Sequence, residues 1–342
     1  MSALLAPPRP PRSPWQRFYG ALLARRAARL RARARRLSRP VVSIGNLHWG
    51  GSGKTPIVIA LASHLRDAGQ RVAVLSRGYR RTTRGALIVS RGDGPLVAVD
   101  EAGDEPYQMA EELAGVAVVV AERRFDAGEL ALAELAGEVD TFVLDDGFSH
   151  VALARDVDCL LFPAADPWAR GRLAPGGFLR EPLAAAARAD AAVSTGAADP
   201  ADGGALAAAL APFGFRGRGF ASVTEALGPY RLDGAELAAG TRVFALAAIA
   251  HPERFHAAAE RAGLVLVGRE GFRDHWHYSE LDVRDIERAA RRAGAEAVLV
   301  TAKDRAKLAG RLALPLAVLP IAARPEAAFW PWLGERLEAA RR

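Results

Sequence analysis

Gly50-Gly51-Ser52-Gly53-Lys54-Thr55 stands between a short apolar run, Val41-Val42-Ser43-Ile44, and a segment patterned as a helix. Small residues let successive backbone N–H groups turn inward around phosphate oxygens. The start of the following helix adds partial positive charge. In such a loop Lys54 reaches the β- and γ-phosphates of a nucleotide, and the Thr55 hydroxyl holds Mg²⁺. The usual pattern carries a further Gly where this chain has His48, followed by Trp49. The candidate nucleotide-binding stretch is therefore His48, Trp49, Gly50, Gly51, Ser52, Gly53, Lys54 and Thr55. Position 49, a Trp, lacks the signature lysine of the deviant phosphate-loop class. A guanine-reading Asn-Lys-x-Asp is absent, because Lys303 and Asp304 are adjacent in Thr301-Ala302-Lys303-Asp304. ATP is favoured over GTP.

The second chemical signal is Thr141-Phe142-Val143-Leu144-Asp145-Asp146, an apolar strand ending in two acids. A metal-holding carboxylate belongs at the carboxyl end of a parallel strand beside a phosphate loop. The same residues could be a strand and an Asp-Gly turn; the loop upstream favours the metal reading. These features reach a Mg²⁺-dependent phosphotransferase or nucleotide hydrolase. One alternative is an ATPase whose hydrolysis drives a conformational switch or partner loading at a membrane.

Elements must position these groups. Strands are expected at 41–44, 71–75, 86–90, 116–120, 141–144 and 157–161, with helices at 54–68 and 106–113. Such alternation argues for a parallel sheet with helices on both faces. Residues 196–212 read as a loop with one weak helix. A second α/β run follows, with strands at 243–247, 264–267, 297–301 and 316–319 and helices at 252–262 and 281–293. The expected organisation is a basic amphipathic helix in 1–40, a phosphate-loop domain over 41–225, a smaller α/β domain over 226–320 and a C-terminal helix in 321–342.

Of the 342 residues, half are apolar and a quarter charged, which suits a soluble globular protein. The single Cys159 excludes an internal disulfide and a multi-cysteine zinc site. No apolar run spans a bilayer, and no secretory-signal pattern is expected at the start. Residues 1–40 hold eleven Arg and no acid, whereas the remainder has 35 basic and 39 acidic residues. The chain has only three lysines, Lys54, Lys303 and Lys307, so each carries more information than an arginine.

The sequence resembles the tetraacyldisaccharide 4'-kinases, the lipid A 4'-kinases of Gram-negative bacteria. The matching segments are 42–56 (VSIGNLHWGGSGKTP), 75–79 (LSRGY), 103–106 (GDEP), 121–124 (AERR), 144–150 (LDDGFSH), 171–182 (GRLAPGGFLREP), 249–255 (IAHPERF), 272–278 (FRDHWHY) and 301–304 (TAKD). They run in family order. Ser149 stands where the family usually has Gln, and Ala302 where it has Glu. The resemblance implies that Asp104 is the catalytic base and that His275 pairs with it. It implies that Arg77 and Arg124 act near the phosphates, that Glu181 belongs to the nucleotide site, and that Glu105 joins Asp145, Asp146 and Thr55 around Mg²⁺. By residue type alone, Asp104 and Glu105 would be first-turn acids of a helix, Glu181 a turn residue, Arg77 and Arg124 surface arginines, and His275 a structural polar group.

Residues 14–37 read as one basic helix with Trp15, Phe18, Leu22, Leu30 and Leu37 near helical spacing, which suits an anionic membrane surface. A nucleic-acid arm or a solvated tail are the alternatives; the aromatic and leucine stripe favours lipid. The expected partners are a lipid A disaccharide 1-phosphate and the membrane, with no nucleic acid. The expected place is the cytoplasmic face of the bacterial inner membrane, held peripherally.

Overall fold

The structure, a computed structural model, describes residues 13–135 and 139–342. The chain divides into two compact units, residues 1–224 with 323–342, and 225–322. The first dozen residues of the expected membrane helix lie outside the described residues.

Helix α1 (Pro14–Arg31) begins with Pro at its first turn, which needs no N–H donor there. Strand β1 (Val41–Asn46) leads through the phosphate loop into α2 (Lys54–Asp67). Then come β2 (Val72–Ser76), β3 (Leu87–Ser90), α3 (Val99–Ala102), α4 (Asp104–Glu112), β4 (Ala117–Val120), α5 (Arg124–Glu134), β5 (Thr141–Leu144), β6 (Val157–Pro163), β7 (Ala191–Thr195), α6 (Ala201–Leu210) and β8 (Arg218–Ala226). The second unit contains β9 (Tyr230–Arg231), β10 (Arg242–Ala247), α7 (Pro252–Arg261), β11 (Val265–Gly271), α8 (Glu280–Arg292), β12 (Ala297–Thr301), α9 (Ala302–Leu308) and β13 (Leu316–Leu319). Strand β14 (Ile321–Pro325) and α10 (Phe329–Arg341) end the chain.

Among the described residues, nine strands form a sheet in the order β14-β8-β7-β6-β1-β5-β2-β4-β3. The pairs from β8 through β4 are parallel, and β3 is antiparallel to β4. Strands β1, β2, β4, β5 and β7 are buried at every position. That is why β1, β2, β4 and β5 read as apolar runs without alternation. Helix α2 buries Ile57, Leu61 and Leu65 with Val58 and Ala62, an i, i+4 stripe lying on the sheet. Helix α10 packs on the first unit: Phe329, Trp332, Leu333 and Leu337 join its core, and Trp330 stacks on His64 at 4.1 Å. The second unit has the five-stranded order β11-β10-β12-β13-β9, parallel except for β9. The architecture is α/β with helices on both faces of a mainly parallel sheet, plus a smaller α/β unit.

The basic helix is shorter than the spacing predicts. It ends at Arg31, and the chain then pairs locally, Arg35 N donating to Ala152 O at 3.0 Å. Leu37 does not belong to the exposed stripe. It is buried against Gly128 of α5 in a core with Val41, Phe125 and Phe142. Core packing outweighs helical continuation there, because a buried Leu gains more than one further exposed turn. Within α1, Tyr19 and Leu23 pack on the first unit and Gly20 lies against Leu173 and Pro182, while Trp15, Phe18 and Leu22 face outward. We predict that Leu37→Ala destabilises the protein by about 2–5 kcal/mol, read as a lower midpoint in denaturant. A membrane-stripe role for Leu37 would leave the midpoint unchanged.

Candidate active site

The phosphate loop leaves the carboxyl end of β1 and enters α2 through Gly53, whose φ of 72° is left-handed. A side chain there would be strained and would meet Thr195. Thr195 Oγ1 donates to Ser52 O at 2.9 Å, and Asn46 Nδ2 donates to Ser52 Oγ at 2.6 Å. The other flank of the loop is paired to the 172–182 segment. Trp49 N donates to Phe178 O and Arg180 N donates to Leu47 O, both at 2.7 Å, and His48 bridges antiparallel to Leu179. The His48 imidazole is buried, with Nε2 at 2.8 Å from Pro167 O. Burial lowers its pKa, so the ring is neutral and Nε2–H donates to that carbonyl. His48 therefore turns its side chain into the core and lends only backbone to the loop. It is not among the residues with positive φ, which explains why an L-residue is accepted where the usual pattern has Gly.

Asp145 and Asp146 follow β5 directly. Asp145 is buried and accepts from Ser76 Oγ at 2.7 Å. Loss of water, with Asp146 beside it, pushes its pKa up to about 6. Asp146 sits at φ 47° and accepts from Arg180 Nη1 at 2.9 and 3.1 Å, with Lys54 Nζ at 3.6 Å. Burial works to raise its pKa, but Lys54 and Arg180 outweigh that and hold it below the ordinary carboxylate range. The Arg180 guanidinium also lies 4.8 Å from the centre of the exposed Trp49 ring. Thr55 follows Lys54 in the first turn of α2.

Arg124 opens α5 and is only 4 % exposed. Burial pushes its guanidinium down to about 10, with Asp145 and Asp146 acting against the shift and Arg77 adding to it. It stays charged at neutral pH, and its Nε is buried without a partner. Asp104 and Glu105 open α4 after Gly103, whose φ is 89°. A Cβ on Gly103 would lie 3.1 Å from Gly78 Cα, so the loop carrying Arg77 rests directly on the start of that helix. Glu105 is among the charges that raise Asp145. The first unit thus gathers Lys54, Arg77, Asp104, Glu105, Arg124, Asp145 and Asp146 at the carboxyl ends of its parallel strands.

Glu181 is engaged elsewhere. It accepts from Ser149 Oγ at 2.7 Å and from Arg188 at 2.8 and 3.2 Å. It ties the turn after β5 to the short helix Leu183–Arg188. His275 belongs to the second unit, in the loop after β11, where Nε2 lies 3.3 Å from Lys303 Nζ. Spacing gave no signal for Arg180, Ser76, Asn46 or Thr195, which hold the loop and the acids. His150 closes the matching 144–150 segment, where the sequence assigns it no role. Burial, then Arg124, Arg155 and Arg77, push its pKa down to about 4, so it is neutral among arginines.

A glycine-rich loop joining a buried parallel strand to a helix, with an acid pair ending the neighbouring strand and arginines around it, defines a P-loop nucleotide-dependent enzyme. The particular family is given by comparison with known proteins. The pattern of the family described as Tetraacyldisaccharide-1-P 4'-kinase matches residues 12–338, and the chain belongs to that family. It is similar to the tetraacyldisaccharide 4'-kinase of Geobacter sulfurreducens, 42 % identical over 333 residues and 90 % of each chain. It is similar also to that of an Anaeromyxobacter species, 42 % identical over 278 residues, 79 % of this chain and 74 % of the relative. A crystal structure of LpxK from Aquifex aeolicus in complex with ATP superposes with a TM-score of 0.74 at 32 % identity, covering 95 % of this chain and 97 % of that one.

Because Glu181 is nearly buried with Arg188, removing it strands a charge. We predict that Glu181→Ala costs roughly 3 kcal/mol of stability, measured by denaturant unfolding. An unchanged midpoint with a weakened ATP affinity would instead make Glu181 a nucleotide contact.

Proposed function

We propose that the protein transfers the γ-phosphoryl group of ATP to the 4'-hydroxyl of a tetraacyldisaccharide 1-phosphate, a step of lipid A, and hence lipopolysaccharide, biosynthesis. The observation that carries the enzyme class is the Lys54–Asp146 pair at 3.6 Å, at the mouth of the phosphate loop. Family membership carries the acceptor.

In this reading the loop N–H groups of 50–55 and Lys54 bind the β- and γ-phosphates, releasing Lys54 from Asp146. Arg77 and Arg124 meet the charge that spreads over the transferred group. The low exposure of Arg124 makes its charge more effective than it would be in water. Asp104 accepts the proton of the attacking hydroxyl. His275 serves as the histidine paired with that base in the family.

The donor set fits Mg²⁺. Asp145 and Asp146 stand side by side with raised and lowered affinity for protons, and Thr55 offers a hydroxyl. Among the described residues no three His, Cys, Asp or Glu converge as a complete metal cage. Mg²⁺ suits this, since it takes one or two carboxylates and completes its shell with phosphates and water. Thr55 with one or two of Asp145, Asp146 and Glu105 would hold it, and it would supply charge neutralisation at the phosphates.

The outward side of α1 supports a peripheral place at the cytoplasmic face of the inner membrane. Trp15 is 64 % exposed, Phe18 63 % and Leu22 53 %, on a helix with no acid in its first turn and Arg29 and Arg31 in its last. No helix among the described residues is long and apolar enough to cross a membrane. Each arginine near an anionic surface would add about 1 kcal/mol.

Two experiments test this. Incubation with Mg-ATP and tetraacyldisaccharide 1-phosphate in detergent should add one phosphate to the lipid by mass spectrometry, and folded Lys54→Ala should lose this by orders of magnitude. ATP turnover with unmodified lipid would instead support an ATPase. The triple variant Trp15→Ser, Phe18→Ser, Leu22→Ser should lose binding to phosphatidylglycerol vesicles at an unchanged melting temperature. Undiminished vesicle binding would remove the membrane role of α1.

A further inference from the structure

Two of the three lysines in this arginine-rich chain lie on one short helix, α9, and both reach the same loop of the second unit. Lys307 Nζ donates to Trp276 O at 3.2 Å. Lys303 Nζ donates to Asp274 Oδ1 at 2.7 Å and lies 3.3 Å from His275 Nε2. Lys303 is the second residue of α9, where a cation opposes the helix dipole. Its side chain is 13 % exposed. A lysine is thus kept at a site that penalises it twice.

The helix that carries it is registered with care. Thr301 caps α9 by accepting from Asp304 N at 3.2 Å and donating to Asp304 Oδ2 at 2.8 Å. The fully buried Asp304 carboxylate also accepts from Ala248 N at 2.9 Å and from Tyr278 Oη at 3.2 Å. One carboxylate therefore fixes α9 to both ends of the 248–278 region. His275 itself has a φ of 61°, a left-handed backbone uncommon among residues other than glycine.

We propose that Lys303 is a positioning residue that acts through His275, fixing the Nδ1–H tautomer of its imidazole and the direction in which that N–H points. An ammonium has three donors and no acceptor. The ring nitrogen facing it must therefore offer a lone pair, and that nitrogen is Nε2. The proton then resides on Nδ1, and His275 serves as a hydrogen-bond donor through Nδ1 instead of a proton acceptor through Nε2. Asp274 Oδ1 accepts from the same ammonium and keeps it in place, while its Oδ2 lies 3.9 Å from Nε2, outside hydrogen-bond reach. The inference rests on the reading of His275 as part of the phosphoryl-transfer machinery.

The test uses full-length protein with ¹⁵N-labelled histidine and long-range ¹H–¹⁵N correlation, the His275 signals assigned by their loss in His275→Gln. Wild type and Lys303→Arg should show Nδ1–H. Lys303→Met should move the ring toward the Nε2–H form. Nε2–H in the wild type, or a tautomer indifferent to Lys303→Met, overturns the proposal. In parallel, Lys303→Met should lower kcat by roughly ten- to a hundredfold with KM for ATP nearly unchanged, Lys303→Arg should recover most of the loss, and Lys303→Met should add nothing in a His275→Gln background. Fully additive losses overturn it. Should Lys303→Met melt early, Asp274→Asn is the second variant, expected to loosen the same tautomer; a fixed tautomer there also overturns the proposal. A His275→Gln enzyme with normal kcat would defeat the reading of His275 itself, while the tautomer measurement would still decide the contact.

Discussion

The site depends on holding a loop of small residues in one shape. Glycine-rich backbone has the largest conformational freedom to lose. The chain removes that freedom with backbone pairing. Leu47 O accepts from Arg180 N and Trp49 N donates to Phe178 O, with His48 between them opposite Leu179, and Ser52 is fixed by Asn46 and Thr195. Only the stretch from Gly50 to Thr55 is left to meet phosphate. The 172–182 segment, which looks like a surface loop in sequence, is thus the wall against which the phosphate loop is moulded.

The same segment links the loop to the acids. Arg180 follows directly on the bridge at Leu179 and grips Asp146, which also faces Lys54. Asp145 is left more dependent on its neighbours, since burial favours its neutral form and it is Ser76 that donates to it. Two adjacent carboxylates thus have opposite leanings. One is stabilised as an anion by basic side chains. The other is poised for any cation that comes within reach. Arg124, buried across from them, keeps its charge because the acids compensate part of its lost hydration.

Much of this was legible in the residues. The phosphate loop and the β5 acid pair followed from local chemistry, because glycines, lysine and paired acids are constrained over a few positions. Strands β1, β2, β4 and β5 were legible as short apolar runs. Other features were not. Strand β7 is Ala-Ala-Val-Ser-Thr, weak in β-propensity and held only by burial between β6 and β8. Helix α5 has Gly128 in its middle and no capping side chain at Arg123, so no start or stop signal marked it. Leu37 looked like one more member of an amphipathic stripe, although its burial is decided by Gly128, ninety-one positions away. Arg180 and the Ser149–Glu181–Arg188 cluster are long-range in the same sense. Their roles come from where the sheet order places them, which spacing along the chain does not encode.

Backbone pairing to residues 178–180 shapes the phosphate loop. Amide hydrogen exchange, followed with and without an unhydrolysable Mg-ATP analogue, tests it most directly. The amides of Trp49 and Arg180 should already be slow in the free protein, and those of Gly50 to Thr55 should slow only when nucleotide is added. Fast exchange at Trp49 and Arg180 in the free protein, or no protection of Gly50 to Thr55 by nucleotide, would contradict it.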